Sequence, residues 1–180
     1  MKKENIVAYV LRLTVTLLLI TGVVAAALAG VNAITKDAIA ANQEKKTQDA
    51  LAVVLPGVTG LEKLPLTGDA GIVSEVYASG DSYAVKVMPA GFDGEITMMV
   101  GIQNGEVTGI SVISHTETPG LGAVAAANNA KGEAFRGQFV GQSGTLAVGD
   151  QIDAMSGATI TSTAVVTGVN AATAYVANLG

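Results

Sequence analysis

An α+β domain tethered by one N-terminal membrane helix is the architecture this sequence predicts. Three observations predict it. Residues 13–35, between Arg12 and Lys36, are 23 uncharged and mostly apolar positions. Residues 72–114 read as four successive strands joined by tight turns. The stretch after Thr161 carries an apolar pattern of helical period. Strands that follow one another without intervening helices pair antiparallel rather than as βαβ units, which separates α+β from α/β.

The apolar stretch begins Leu13-Thr14-Val15-Thr16-Leu17-Leu18-Leu19-Ile20 and continues through Val23, Val24, Ala25, Ala26, Ala27 and Leu28. As a helix it is about 34 Å long, enough to cross a hydrocarbon core of about 30 Å. Small residues such as Gly22 and Gly30 suit a face packed against another helix. A cleaved signal peptide would use Lys2, Lys3 and Arg12 as its basic end and Ala27-Leu28-Ala29 for cleavage, but its apolar core is shorter than this one. A buried core helix needs more covering chain than follows. A retained anchor is therefore expected. Lys2, Lys3 and Arg12 on one side, against Lys36, Lys45 and Lys46 on the other, place the N-terminus in the cytoplasm of a cell (inner) membrane and the main domain outside.

Residues 35–55 read as a helix continuing beyond the apolar stretch, with Ile34, Ala38, Ala41, Ala52 and Leu55 among charged and amide residues, stopped by Pro56-Gly57. Residues 57–70 have loop composition. Ile72 to Ala78 alternates, with Val73, Glu75 and Tyr77 expected on one face. Gly80-Asp81-Ser82 turns into a second strand, Tyr83 to Met88. After the loop 89–94, Glu95 to Gln103 forms a third strand. Asn104-Gly105 is the strongest short-range hairpin signal in the chain and leads into the fourth, Val107 to Ser114. Lys131 to Phe139 is a short amphipathic helix or packed loop, with Phe135 and Phe139 at i and i+4. Residues 141–150 are loop. Val165, Val166, Val169, Ala172 and Val176 then mark the buried face of a terminal helix, capped by Ser162 or Thr161. The expected boundaries are 1–35 for the anchor, 36–56 for a stalk or packing helix, and 57–180 for one extracytoplasmic domain.

Composition excludes several chemistries. The chain of 180 residues has no Cys, no Trp and one His, with a net charge of −5. Disulfides, thiolate metal sites and iron–sulfur ligation are impossible, and no metal site is expected. From Thr47 on there are twelve acidic residues against four basic ones, which argues against nucleic acid as a partner. No Gly-x-Gly-x-x-Gly fingerprint for a dinucleotide is present. The span offers no charged residue for an ion path after Arg12. His115 ends a strand and is expected to be hydrogen-bonded locally rather than catalytic, and no catalytic residue is assigned. The hydroxyls of Ser156, Thr159, Thr161, Ser162 and Thr163 lie close in sequence, but no nucleophile elbow surrounds them.

Two stretches carry chemistry. Asp153-Ala154-Met155-Ser156-Gly157-Ala158-Thr159 packs small residues and hydroxyls just before the terminal helix, where free N–H groups and the helix dipole favour a phosphate. Glu117-Thr118-Pro119-Gly120-Leu121-Gly122 is a tight turn after the fourth strand, with Thr118 and Leu121 placed to meet a ligand. Read alone it is an ordinary loop, and Glu117 an ordinary solvated carboxylate.

Asp-x-x-Ser-Gly-Ala-Thr resembles the flavinylation signature of the FMN-binding domain family. With the N-terminal anchor and the Glu-Thr-Pro-Gly-Leu-Gly turn, the whole chain is similar to the G subunits of Rnf-type ion-translocating electron transport complexes, and more distantly to the C subunits of sodium-pumping NADH:quinone reductases, which are longer. The resemblance implies FMN joined by a phosphoester to Thr159. It places Asp153, Ser156, Gly157, Ala158, Glu117, Thr118, Gly120 and Leu121 in the cofactor-binding region. It implies a redox subunit of a translocase that couples ferredoxin/NAD electron transfer to Na⁺ or H⁺ movement. It also implies partners: other membrane subunits, among them a second covalent-FMN subunit and an iron–sulfur subunit, and a flavin transferase for maturation. Two rival readings are a membrane-anchored FMN-binding regulatory or maturation protein and a cofactor-free anchored binding domain. The first typically brings extra membrane helices or cysteine clusters. The second makes the turn at Ser156–Thr159 a plain helix cap.

Overall fold

The structure is a computed structural model and describes residues 6–179. Lys2 and Lys3, on which the expected orientation partly rests, lie outside the described residues. The chain divides into two compact units, residues 1–45 and 46–180.

Helix α1 runs without a break over Ile6–Val54. It is the one described helix long and apolar enough to cross a membrane. In the first unit its apolar side chains, Leu13, Leu17 and Val24 among them, are exposed on all sides. That is the pattern of a helix whose solvent is lipid. The hydroxyls inside the span are satisfied internally: Thr14, Thr16 and Thr21 donate to the carbonyls of Val10, Arg12 and Leu17 at 2.8–2.9 Å. Such back-bonding removes the cost of a polar group in hydrocarbon.

The second unit is built on a five-stranded antiparallel meander in sequence order: β1 Glu62–Leu64, β2 Val73–Ser79, β3 Ser82–Val87, β4 Thr97–Gln103 and β5 Glu106–Ser114. The α+β class is as the sequence predicts. The Asn104-Gly105 hairpin has positive φ at both central residues (53° and 81°), the requirement of a type I′ turn. Strand β1 lies inside the stretch expected to be loop. Three residues are too few for a periodic signal, and pairing with β2 (Lys63 opposite Tyr77) is what holds them extended. The expected face of β2 is also corrected. A bulge between Val73 and Glu75, where Ser74 Oγ donates to the Lys86 carbonyl at 3.2 Å, turns Val73 and Val76 to the same buried face and leaves Glu75 and Tyr77 on the other.

Both faces of the sheet are covered. On one, Val76, Val85, Val87, Met98, Val100 and Ile102 pack with helix α3, Thr159–Ala177, through Val165, Val166, Val169 and Ala172. Helix α2, Ala130–Gly137, is capped by the Asn129 side chain, which accepts from the N–H groups of Lys131 and Gly132. It brings Phe135 against Phe139, edge to face, with centroids 5.5 Å apart. On the other face the last turns of α1 present Thr47, Ala50, Leu51 and Val54 at i, i+3, i+4 and i+7 and pack over Ala84 and Met99.

Two glycines pair across β4 and β5 at this second contact, Gly101 and Gly109, and the close approach of α1 depends on the first. A Cβ on Gly101 would run into the Val54 carbonyl and Thr108 Oγ1, whereas one on Gly109 would sit 3.7 Å from Val54 Cα. Gly101→Ala should cost about 1–3 kcal/mol. Gly109→Ala should be nearly neutral. Thermal unfolding of the two detergent-solubilised variants checks the contrast, and equal midpoints would refute it.

On the outer side of β2, Glu75 takes Lys63 at 3.2 Å, Lys86 at 3.5 Å and the Tyr77 hydroxyl at 2.6 Å. Partial burial by itself would raise the Glu75 pKa, but the Tyr77 hydrogen bond and the two ammonium groups outweigh it and hold the group below the ordinary glutamate range. A carboxyl depressed in the folded state stabilises above its unfolded pKa, and that increment is lost as pH falls through the folded value. Because the group is partly solvated, Glu75→Gln should cost no more than about 1 kcal/mol at neutral pH. The difference from wild type should vanish at pH values below the folded pKa, as read from unfolding midpoints across an acid series.

Candidate functional site

Three segments that are distant in sequence meet at one carboxylate. Glu117, in the turn after β5, is 5% exposed, not the solvated loop residue expected from composition. Its Oε1 accepts from the backbone N–H groups of Phe92 (2.8 Å) and Asp93 (3.2 Å), in the loop between β3 and β4. Its Oε2 accepts from the Thr161 hydroxyl at 2.5 Å, in the first turn of α3. Gly91 and Gly122 leave room for it, since a Cβ on either would strike a carboxylate oxygen. An anion buried among donors forms stronger hydrogen bonds than a neutral acceptor would. With both oxygens engaged by donors from two other segments, Glu117 is a brace between them.

The brace shapes a cleft of about 360 Å³ lined by Phe92, Glu117, Thr118, Leu121, Gly122, Gly157, Ala158, Thr159, Ile160 and Thr161. Of the residues singled out from sequence, Glu117, Thr118, Leu121, Gly157, Ala158 and Thr159 come together here. Asp153, Ser156 and Gly120 line a neighbouring cleft of about 520 Å³ instead, with Leu121 common to both and Lys131, Phe135 and Gln138 on its wall. Asp153 is held there through its backbone N–H, which donates to Gln138 Oε1 at 2.7 Å. Gly157 has φ of 73°, a conformation open to glycine, and lies against the Leu121 side chain. Phe92, Ile160 and Thr161 are lining residues with no ligand signal in the sequence. Phe92 sits in a loop without a motif, and Thr161 reads from sequence as a helix cap.

That cap is corrected. Helix α3 begins at Thr159, with Ala158 in the capping position and no side-chain cap. Its first intrahelical bond runs from the Ser162 N–H to the Ala158 carbonyl at 2.9 Å. The N–H groups of residues 159–161 therefore have no acceptor within the helix. Ser162 points inward, donating to the Ala158 carbonyl and accepting from the Met155 N–H, both at 2.9 Å. Thr161 is spent on Glu117. Thr159 is left exposed, and its hydroxyl makes no hydrogen bond among the described residues. The apolar period that marks the helix starts one turn late because its first turn is polar and committed to the loops. His115 departs from expectation too: its Nδ1 is buried without a hydrogen-bond partner among the described residues, and the residue lines neither cleft.

The arrangement suits a molecule with an anionic end and a planar apolar body. Helix N–H groups without a partner among the described residues and the Thr159 hydroxyl meet the first requirement, and the exposed side chains of Phe92, Leu121 and Ile160 meet the second. Residues 91–174 match the family model of the FMN-binding domain, and the residues present fit that cofactor. Fold and cleft thus define a flavin-binding domain on a chain with a membrane helix. Residues 1–54 match the model of the RnfG N-terminal region. Two similar proteins align over nearly their whole length. The G subunit of the ion-translocating oxidoreductase complex of Methanosarcina acetivorans is 34% identical, with 92% of this chain and 93% of that protein covered. The G subunit of the Na⁺-translocating ferredoxin:NAD⁺ oxidoreductase complex of Acetobacterium woodii is 33% identical, with 89% and 88% covered. The proton-translocating counterpart of Clostridium ljungdahlii is 39% identical over 59% of this chain and 65% of that protein. The chain belongs to the family of Rnf-complex G subunits.

Glu117→Ala leaves three donors without an acceptor and should cost about 2 kcal/mol or more. Glu117→Gln keeps a carbonyl for the two backbone N–H groups, and the Thr161 hydroxyl can turn to accept from the amide, so its cost should be less than half as large. Chemical denaturation of the two variants beside wild type separates a brace from a solvated side chain, for which both substitutions would be neutral.

Proposed function

We propose that this chain is the membrane-anchored, electron-carrying subunit of a translocase that couples electron transfer between ferredoxin and NAD⁺ to movement of Na⁺ or H⁺, with FMN held by a phosphoester on Thr159. The observation that carries the covalent reading is the choice of hydroxyls at the start of α3. Thr161 and Ser162 are consumed by internal hydrogen bonds, whereas Thr159 is exposed, unbonded among the described residues and on the cleft wall. A phosphate there also meets the unpaired N–H groups of the first turn, whose dipole favours its charge. FMN supplies the exchange between two-electron and one-electron carriers. The chain's own residues bind and orient it: Glu117 fixes the cleft walls, and Thr118 and Leu121 border the space for the ring.

The anchor is assigned to residues 1–35, the stalk to 36–56 and the flavin domain to 57–180, with the main domain on the extracytoplasmic side. With no charged residue in positions 13–35, ion movement falls to other membrane subunits. The partners in this reading are a second covalent-FMN subunit, an iron–sulfur subunit and a flavin transferase. A covalent bond keeps the cofactor in place where free flavin is scarce.

The test is the intact mass of the denatured chain extracted from host membranes. The expected result is an increment of one FMN less one water, located at Thr159 by peptide fragmentation and lost in Thr159→Ala. An unmodified wild-type mass in a host that contains the transferase would overturn the covalent reading.

A further inference from the structure

Six large apolar side chains of the second unit stay exposed among the described residues: Val53, Leu66, Phe92, Leu121, Val140 and Ile160. Three of them line the cleft that holds Thr159, and Phe92 is the most exposed of the six at 66%. The other two phenylalanines of the chain, Phe135 and Phe139, are buried in the core. Leaving an aromatic ring in water forfeits its burial free energy, so such a ring at a cleft rim is a ligand-facing feature more readily than a packing one.

The Phe92 loop is also held from behind. The Phe92 and Asp93 N–H groups donate to Glu117, the Asp93 carbonyl accepts from the Thr116 hydroxyl at 2.5 Å, and the Gly91 N–H closes the loop on the Gly94 carbonyl at 2.7 Å. The same carboxylate holds Thr161, two residues beyond Thr159. The ring and the attachment residue are thus set on one frame, and little conformational entropy remains to be lost when a ligand meets the ring.

We propose that Phe92 is a cofactor-contact residue whose ring packs on the isoalloxazine system of the flavin, with Leu121 and Ile160 completing the apolar lining. The proposal rests on the flavin reading above. Neither sequence motif contains Phe92, and its function depends on Glu117 reaching across to its backbone.

The test uses the full chain, purified in detergent with its flavin attached, as Phe92→Trp and Phe92→Ala. Both changes are at a side chain outside the protein core and should leave the fold intact, with far-ultraviolet circular dichroism matching wild type. The chain contains no other Trp, so the introduced indole is a unique probe. An indole in contact with the flavin ring donates an electron to its excited state. Native flavin fluorescence in Phe92→Trp should therefore fall several-fold below wild type and recover on unfolding in guanidinium. In Phe92→Ala, iodide quenching of the flavin should strengthen several-fold as one side of the ring opens to solvent. Intact mass is read first on every sample. Correctly modified variants with wild-type fluorescence or wild-type iodide quenching would overturn the proposal. An unmodified mass in wild type would overturn the covalent reading beneath it, and the proposal with it.

Discussion

The buried carboxylate of Glu117 is the interaction on which the functional end of this domain depends. A charge removed from water must be met by donors, and here the donors come from two other segments: two backbone N–H groups of the β3–β4 loop and one hydroxyl of α3. One donor segment is an irregular loop, and the other is the uncapped first turn of a helix. The loop around Phe92 has no ladder partner beyond the isolated Ala90–Glu95 bridge, and α3 has no side-chain cap. One anion replaces what a strand or a cap would supply. The two glycines beside it follow from the same demand, since any side chain at 91 or 122 would displace the carboxylate.

The sheet beneath serves as a platform used on both faces. Helix α3 covers one face, where the β-branched residues of β3 and β4 and Met98 give a fully buried surface. The end of α1 covers the other, where Gly101 lets its backbone come close enough for Thr108 to donate to the Val54 carbonyl at 2.5 Å. Helix α1 changes character along its length, from exposed apolar residues all round in its first part to a single buried stripe over residues 47–54. Composition governs the first part and shape complementarity the second.

Function follows from how the polar groups are divided. The hydroxyls of Thr161 and Ser162 are committed to structure, so the helix can start without a cap and still hold its loop. Thr159 is left exposed beside first-turn N–H groups that have no acceptor within the helix. The apolar rim formed by Phe92, Leu121 and Ile160 gives the cleft a wall of low polarity. The second cleft, with Asp153 and Ser156, shows that the seven-residue motif does not act as one patch. Its first four residues line one cleft and its last three the other, with Leu121 common to both.

The sequence by itself determined the class of the fold, the long apolar helix, the Asn104-Gly105 hairpin with the strands on either side of it, and the turn of small residues ahead of the last helix. These are local properties: hydropathy over a span, alternation along a strand, turn residues at fixed offsets. Tertiary structure decided the rest. It turned Val73 to the face of Val76 through a bulge, made a strand of Glu62–Leu64 by pairing, began α3 a turn earlier than its apolar period, and buried Glu117. Each of these rests on a partner far away in the chain, and a residue's charge or polarity says nothing about which distant donor will meet it. Phe92 is the clearest case, since its place at the cleft is fixed by a carboxylate 25 residues away.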